Sequence, residues 1–296
     1  MQNYINRFLN HLSVEKNVSN HTITAYSKDL EQFVLFLSTF NNSIESFSDV
    51  SPKVVRQWVV DLHENEMTPR TIHRKISSVR SFYKYLQRQQ VLEDNPLLYI
   101  PLPKIPKKLP LFVRESEMEA LLDSFDYDKD YPSIRNKLII ELFYGTGIRL
   151  SELVNLKVKD VDLQSKVVKV IGKGNKERII PLTNESIRLL KEYNIIREKS
   201  FTTKSEWLFL TNKGAKIYNK LVYRVVNTSL SRVTTLKKRS PHILRHTYAT
   251  VLLNRGADLN AIKELLGHSN LNATQIYTHN SIEEINAIYK QAHPRA

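Results

Sequence analysis

The sequence predicts a mainly α-helical protein with a small antiparallel β-sheet, divided into two domains. Apolar residues recur at three- and four-residue spacing along most of the chain, which is typical of amphipathic helices. Two short β-patterned segments flank a glycine-rich turn, and five of the 11 prolines fall between Asn95 and Leu111. A chain of 296 residues can bury two separate cores.

Residues 1–95 are predicted to form a helical bundle. Apolar residues line one helix face at Tyr4, Phe8 and Leu12, and another at Tyr26, Leu30, Phe33 and Leu37. Ser51 precedes Pro52 and Thr68 precedes Pro69, and each pair combines an N-cap residue with proline at the first helical position. Both pairs therefore predict a helix start.

The helix after Thr68 carries charge of one sign. Its predicted core stripe is Ile72, Ile76, Val79, Tyr83 and Leu86. Solvated faces usually mix charge signs, whereas a purely basic surface suits contact with phosphates. We therefore predict DNA contact by the basic residues of this helix: Arg70, Arg74, Lys75, Arg80, Lys84 and Arg88.

Residues 96–111 are predicted to be an extended linker, because proline at this density cannot continue a helix or a central strand. The remainder, 112–296, is predicted to be an α+β domain. Its expected strands are Val167–Ile171 and Arg178–Leu182, joined by a hairpin turn rich in glycine and asparagine. Its expected helices are Ile134–Tyr144, closed by Gly145, and 184–198, 216–231, 241–254, 258–266 and 281–291.

Composition narrows the class of partner. The formal net charge is +14, from 44 Lys and Arg against 30 Asp and Glu, which indicates nucleic acid or an anionic membrane. Without an apolar run of membrane-spanning length we expect no membrane partner. The chain has no cysteine, which excludes disulfides, thiolate metal sites and a cysteine nucleophile, and a reducing cytoplasm is the expected location.

Several polar residues suit chemistry on a phosphodiester. Guanidinium groups bind phosphate oxygens bidentately, and Arg149 and Arg245 are placed beside helix starts. His242 lies three residues before Arg245, so both share one helix face, and the helix N-terminus favours a neutral imidazole that accepts a proton. Asp126, Asp128 and Asp130 alternate like calcium ligands, but the glycine and glutamate of such a loop are missing, so we expect no metal site.

Four segments together resemble the motifs of the tyrosine recombinase (phage integrase) family. In family order they are Glu141–Leu153 (ELFYGTGIRLSEL), Val170–Arg178 (VIGKGNKER), Ser240–Thr250 (SPHILRHTYAT), and Leu265–Ser269 (LLGHS) followed by Gln275–His279 (QIYTH). The likeness is greatest to bacterial Xer recombinases, and the segments Ser19–Tyr26 and Asp29–Phe33 resemble their core-binding (SAM-like) domain, which is expected over residues 1–95. Tyr248, where phenylalanine is usual, departs from the pattern without touching a catalytic position.

The resemblance implies a role for each matching residue. Tyr277 is the nucleophile that forms a 3′-phosphotyrosyl link, and Arg149, Arg245 and His268 bind the phosphate. Lys173 protonates the leaving 5′-oxygen, and His242 accepts the tyrosine proton. Glu152, three residues after Arg149, is expected to orient it. Because the phosphotyrosine conserves bond energy, no metal, ATP or other cofactor is implied.

The resemblance also implies partners. These are double-stranded DNA, a homo- or hetero-tetramer on two DNA sites held through the terminal helix 281–291, a paralogous recombinase and an FtsK-type translocase. The expected function is site-specific recombination that resolves chromosome dimers at dif-like sites. The alternative is the integrase of a mobile genetic element, which uses the same chemistry.

Overall fold

A computed structural model describes residues 1–40, 44–106, 111–124, 128–172, 175–202, 204–267 and 292–295. The chain divides into two compact units, Met1–Lys108 and Leu109–Ala296. Each unit has its own buried apolar core, and each is described separately below.

The first unit is a bundle of helices. Its elements are α1 (Gln2–Val14), α2 (Asn20–Phe40), a short 3-10 helix (Phe47–Asp49), α3 (Pro52–Glu64) and α4 (Pro69–Arg88). The two predicted proline starts are confirmed. The hydroxyl oxygen of Ser51 accepts from the Val54 amide, and that of Thr68 accepts from the Thr71 amide, which satisfies donors that the first turn leaves free.

Aromatic side chains dominate the core of the first unit. Phe33 lies 4.6 Å from Trp58 and Phe47 lies 4.8 Å from Phe82, measured between ring centroids. The predicted core stripe of α4 is confirmed, since all five of its members are fully buried. Each such side chain contributes about 1.5–3 kcal/mol by leaving water, so this core holds α4 in a fixed rotation about its axis.

The segment that follows α4 packs against the core of the first unit. Leu97 and Ile100 are buried in the first core, and the Leu97 carbonyl accepts two hydrogen bonds from the Arg80 guanidinium. His73 contacts the Pro103 carbonyl through Nε2 at 2.8 Å. Residues 101–106 form neither helix nor strand.

The second unit surrounds a three-stranded sheet with helices. Its helices are α5 (Glu115–Glu119), a π-helical turn (Ala120–Ser124), α6 (Tyr131–Thr146), α7 (Leu150–Val154), a 3-10 helix (Val158–Asp160), α8 (Asn184–Ser200), α9 (Asn219–Leu230), α10 (Pro241–Asn254) and α11 (Leu259–Leu266). Its strands are β1 (Val161–Asp162), β2 (Val167–Ile171) and β3 (Glu177–Pro181).

The sheet is antiparallel in the order β1-β2-β3. In the hairpin, Val170 pairs with Arg178 and Val168 pairs with Ile180, so these residues share one face. Val168, Val170 and Ile180 are buried on that face. The predicted hairpin is confirmed, although β3 begins and ends one residue earlier than expected.

Several helix boundaries differ from the sequence prediction, and two of the differences have a clear local cause. Helix α6 continues through Gly145 and ends at Thr146, because Gly147 adopts the left-handed conformation that closes a helix. Helix α9 begins at Asn219 rather than at 216. Lys216 forms a β-bridge with Leu210, and the Ile217 amide donates to the Phe209 carbonyl, so these residues are already committed to extended pairing. The predicted terminal helix 281–291 lies outside the described residues.

The C-terminal segment 292–295 packs against α6. Ala292 and His293 are buried, and His293 Nε2 lies 3.2 Å from the Tyr144 carbonyl oxygen. The Arg295 guanidinium donates two hydrogen bonds to Asp123, at 2.7 and 3.0 Å, and lies 3.3 Å from the buried Glu141 carboxylate. This segment therefore forms part of the core of the second unit.

Candidate active site

Arg149 follows the tight turn between α6 and α7. Its backbone amide donates to Glu152 Oε2 at 2.7 Å, and its Nη1 donates to Glu152 Oε1 at 2.8 Å. The expectation that Glu152 orients Arg149 is therefore confirmed. The remaining terminal nitrogen, Nη2, donates to the Gly267 carbonyl at 2.9 Å, so the guanidinium spans two parts of the fold 118 positions apart.

Arg245 projects from α10 toward the same place. Its Nη1 donates to the Gly147 carbonyl and its Nη2 donates to the Leu266 carbonyl. His242 is exposed in the first turn of α10, one helical turn before Arg245, as its spacing predicts. The helix starts at Pro241 as expected, but the Ser240 side chain makes no capping hydrogen bond.

Arg178 on β3 completes the cluster, and sequence reasoning did not assign it a function. Its Nη1 and Nη2 donate to the two oxygens of Glu152 at 2.7 and 2.8 Å, and its Nε donates to the Leu265 carbonyl at 2.9 Å. One signal was available in the sequence. Arg178 lies two positions before the apolar Ile180 on β3, so both point to the buried face of the sheet, where an arginine requires a carboxylate partner.

The three arginines converge on the last turn of α11. Arg178, Arg245 and Arg149 donate to the consecutive carbonyls of Leu265, Leu266 and Gly267. These carbonyls have no partner within a helix that ends at Leu266, and the negative end of the helix dipole attracts cations. The arrangement fixes the point from which the chain continues to His268.

The cluster is electrostatically suited to an anion, because three guanidinium groups share one carboxylate. Burial, followed by the charges of Arg149 and Arg178, lowers the pKa of Arg245 to about 10. Burial alone would raise the pKa of Glu152, but hydrogen bonds and charge from Arg178, with hydrogen bonds from Arg149, lower it to about 2. Glu152 is therefore ionised at neutral pH, and the group as a whole retains a positive excess.

The β2–β3 hairpin begins beside the arginine pair. A Cβ atom added at Gly172 would lie 3.3 Å from Glu152 Oε1 and 3.6 Å from Arg149 Nη1, so the backbone passes directly over these groups. Lys173 is the next residue, but it lies outside the described residues, as do His268 and Tyr277. Of the six predicted catalytic residues, the structure thus brings together Arg149 and Arg245 and places His242 on the helix of Arg245.

The predicted DNA-contacting residues occupy several positions around α4. At 100° per residue, Arg70, Arg74, Lys84 and Arg88 fall within one narrow stripe of the helix surface, and all four are exposed. Arg74 also pairs with Asp29. The stripe lies opposite the core-facing residues, and its basic residues form two pairs, Arg70 with Arg74 and Lys84 with Arg88, separated by Ser77 and Ser81.

The structure corrects the prediction for two residues of that set. Lys75 is buried, and its ammonium contacts Asp29 and Gln32 of α2, so it stabilises the bundle and cannot contact a phosphate. It lies on the core side of α4, within the stripe formed by Ile72 and Val79. Arg80 is half-buried, and its guanidinium donates two hydrogen bonds to the Leu97 carbonyl. Arg80 therefore holds the segment after α4 against the helix.

Across the described parts of the chain, no group of three or more His, Asp or Glu side chains could hold a metal ion. No helix within those ranges is long and apolar enough to cross a bilayer.

Two family models match the chain. Residues 112–284 match the phage integrase family, and residues 5–90 match the phage integrase N-terminal SAM-like domain. The first match covers more than half of the chain and contains all six predicted catalytic residues.

Curated relatives match over nearly their whole length. The chain is 40% identical to tyrosine recombinase XerC of Halalkalibacterium halodurans, covering 99% of this chain and 98% of that protein. It is 41% identical to tyrosine recombinase XerC of Staphylococcus epidermidis, covering 98% and 96%. Among solved structures, it is 27% identical to XerH site-specific recombinase bound to a palindromic difH substrate, with a TM-score of 0.71 and coverage of 98% and 90%.

Proposed function

The chain belongs to the phage integrase family and is a tyrosine-type site-specific DNA recombinase, and from this premise we propose that it resolves chromosome dimers at dif-like sites. Near full-length likeness to proteins named XerC supports this assignment, as does likeness to XerH bound to difH. The proposed partners are double-stranded DNA, a tetramer on two sites, a paralogous recombinase and an FtsK-type translocase, and the proposed location is the cytoplasm.

The convergence of Arg149 and Arg245 is the observation that carries the chemistry. These residues lie 96 positions apart, yet they donate to adjacent carbonyls immediately before His268. Two guanidinium forks held side by side can neutralise the non-bridging oxygens of one phosphodiester. We assign this role to the pair, with His268 donating a further hydrogen bond.

The proposed reaction conserves the phosphodiester bond energy. The phenol oxygen of Tyr277 attacks phosphorus and forms the phosphotyrosyl bond, while the bond from phosphorus to the 5′-oxygen breaks. His242 accepts the phenol proton, and Lys173 supplies a proton to the leaving 5′-oxygen. Attack by the 5′-hydroxyl of a partner strand reverses these steps and joins the new strands, so no ATP is consumed.

DNA recognition is proposed to use the exposed basic stripe of α4. Arg70, Arg74, Lys84 and Arg88 are assigned to backbone phosphates, which position a protein on a duplex without reading its sequence. The terminal helix 281–291 is proposed to dock on a neighbouring subunit of the tetramer. Replacing Ile282, Ile285 and Tyr289 by serine, which leaves residues 292–295 in place, should then abolish cooperative binding to paired sites, and unchanged cooperativity would contradict the assignment.

A nicked suicide duplex tests the chemistry. Incubation with the full chain should yield a covalent protein–DNA complex, and Tyr277→Phe should lose the complex while it still binds DNA. A methylphosphonate at the scissile position removes the negative charge that Arg149 is proposed to neutralise. Arg149→Ala should therefore lose cleavage of the natural phosphate and recover part of it on the methylphosphonate.

The biological role is tested separately. Recombination between two dif-like sites, with no reaction on the ends of a mobile element, is the expected result. The opposite preference would identify the integrase alternative and would contradict chromosome dimer resolution.

A further inference from the structure

We propose that Arg178 is a positioning residue for strand cleavage, which fixes the guanidinium of Arg149 through Glu152 and the last turn of α11. This inference rests on the proposed role of Arg149 in binding the scissile phosphate. Arg178 need not contact DNA for this role, because it acts on both groups that hold Arg149.

The Arg178 guanidinium on β3 bonds to two helices that are distant from it in the chain. It donates in bidentate form to Glu152 of α7, at 2.7 and 2.8 Å, and through Nε to Leu265 of α11, at 2.9 Å. Only the rigid fork of arginine presents donors in both directions at once. Arg178 is 4% exposed, so these bonds are shielded from water and define a single geometry.

The route from Arg178 to Arg149 runs through a saturated carboxylate. Oε1 of Glu152 accepts from Nη1 of Arg149 and from Nη1 of Arg178, while Oε2 accepts from the Arg149 amide and from Nη2 of Arg178. Each oxygen therefore holds one bond from each arginine. Without Arg178 the carboxylate keeps only the two bonds from Arg149, so the partner of Arg149 Nη1 is no longer held in place from β3.

A second route passes through Gly267. This residue has φ of +63°, and a Cβ atom there would lie 3.1 Å from Arg178 Cδ and 3.3 Å from its Nη1. The Arg178 side chain thus covers the peptide whose carbonyl accepts from Nη2 of Arg149. Both terminal nitrogens of Arg149 are consequently held by groups that Arg178 touches.

The charge balance predicts a change in pH dependence. The charged groups that face Glu152 are Arg149 at the N-cap of α7, Arg178 from β3 and Arg245 from α10. With Arg178 present the pKa of Glu152 is about 2, so the carboxylate stays ionised across any practical assay range. Without Arg178 the burial of Glu152 raises its pKa. Cleavage should then fall as the pH drops through that raised pKa, since a protonated Glu152 accepts fewer bonds from Arg149.

The test is a double-mutant cycle on the full chain. The rate of covalent complex formation is measured in single turnover, at saturating nicked duplex, for Arg178→Met, Glu152→Gln and the double variant. Each single variant is expected to be slower on the order of 10²-fold, the effect of misplacing a substrate-binding group by about 1 Å. Because both act through the same contact, the double variant should be no slower than the worse single variant. Rates that multiply would overturn the proposal.

Two further variants separate positioning from folding. Arg178→Lys keeps the charge but cannot bind Glu152 and Leu265 together, so it replaces Arg178→Met in the cycle if the latter does not fold. It should slow cleavage and move the acid-side loss of activity to higher pH. Arg135→Met is the matched control, because Arg135 is equally buried and donates to Leu210 and Asn212 away from the site. It should lower the melting temperature yet leave the cleavage rate and pH profile unchanged below that temperature.

Arg149→Ala distinguishes failure of this inference from failure of the proposed function. Full cleavage by Arg149→Ala would refute the proposed phosphate-binding role itself. Loss of cleavage by Arg149→Ala, combined with multiplying rates in the cycle or an unshifted pH profile in Arg178→Lys, would refute only the positioning role.

Discussion

The turn before Arg149 offers a sharp test of how the site is built. Gly147 has φ of +59°, and an added Cβ would meet Tyr248 Cδ1 at 2.5 Å, Tyr248 Cε1 at 2.9 Å and Leu266 Cδ2 at 3.0 Å. Tyr248 is fully buried and cannot retreat into solvent. Gly147→Ala should therefore strain both the backbone and the core beneath the two arginines.

The magnitude follows from two separate costs. A side chain in the left-handed region costs about 1–2 kcal/mol, and forcing one extra carbon into a packed core costs about 1–3 kcal/mol. Together they predict that Gly147→Ala lowers the free energy of unfolding by about 2–5 kcal/mol. Gly256→Ala is the matched control, since Gly256 has φ of +82° with no atom within 4 Å of an added Cβ. Only the backbone cost, about 1–2 kcal/mol, applies there.

Urea and thermal denaturation of the full chain measure both variants, with hydrogen exchange of α6 amides as the local report. The difference of about 1–3 kcal/mol between them corresponds to roughly 2–12 °C in melting temperature for a domain of this size. Replacing Tyr248 by Leu in the Gly147→Ala background should recover part of that difference. Equal losses for the two glycine variants would show that the Tyr248 ring does not constrain the turn.

The remaining predictions concern the tail and the first unit. Burial lowers the pKa of His293 from 6.5 to about 4. The docking of residues 292–295 should therefore be fully stable above pH 6.5 and lose on the order of 3 kcal/mol of stability as the pH falls toward 4. Constant resistance of this segment to protease over that pH range would contradict the prediction. Lys75→Met should destabilise the first unit by less than the ~3–5 kcal/mol that an unpaired buried charge costs, because Asp29 still accepts from Arg74 and Ser78. The same variant should leave the salt dependence of DNA binding unchanged. Lys84→Gln should instead reduce the log–log salt slope by about 0.9 without loss of stability, and the reverse pattern in the two variants would refute the assignment of α4 surfaces.

Sequence periodicity predicted the elements well wherever the interactions are local. The starts at Pro52, Pro69 and Pro241 follow from the fixed φ of proline, and the β2–β3 hairpin follows from alternation around a glycine-rich turn. The sequence predicts that Gly145 ends α6, whereas Gly147 does so in the structure. Sequence alone does not separate the two, because either glycine could adopt the left-handed conformation that ends a helix. Contact with Tyr248 and Leu266, which lie far along the chain, selects between them.

The same distinction explains the basic helix. The one-signed charge of α4 predicts DNA contact for all six of its basic residues. In the structure, however, Lys75 is buried beside Asp29, and Arg80 donates to the Leu97 carbonyl. Helical rotation alone could have placed Lys75 on the core side, since it shares the stripe of Ile72 and Val79. The partner of Arg80 could not be foreseen, because it depends on the path of the chain after α4.

By itself, the sequence determined the fold class and the family, and it predicted Arg149 and Arg245 as a phosphate-binding pair. Periodicity and contiguous motifs are properties of neighbouring residues. The tertiary structure decided that Arg178, Arg245 and Arg149 bind three successive carbonyls at the C-terminal end of α11, and that Arg149 and Arg178 share Glu152. A buried guanidinium requires whichever acceptor the packed chain brings within reach, and that acceptor is fixed by the fold as a whole.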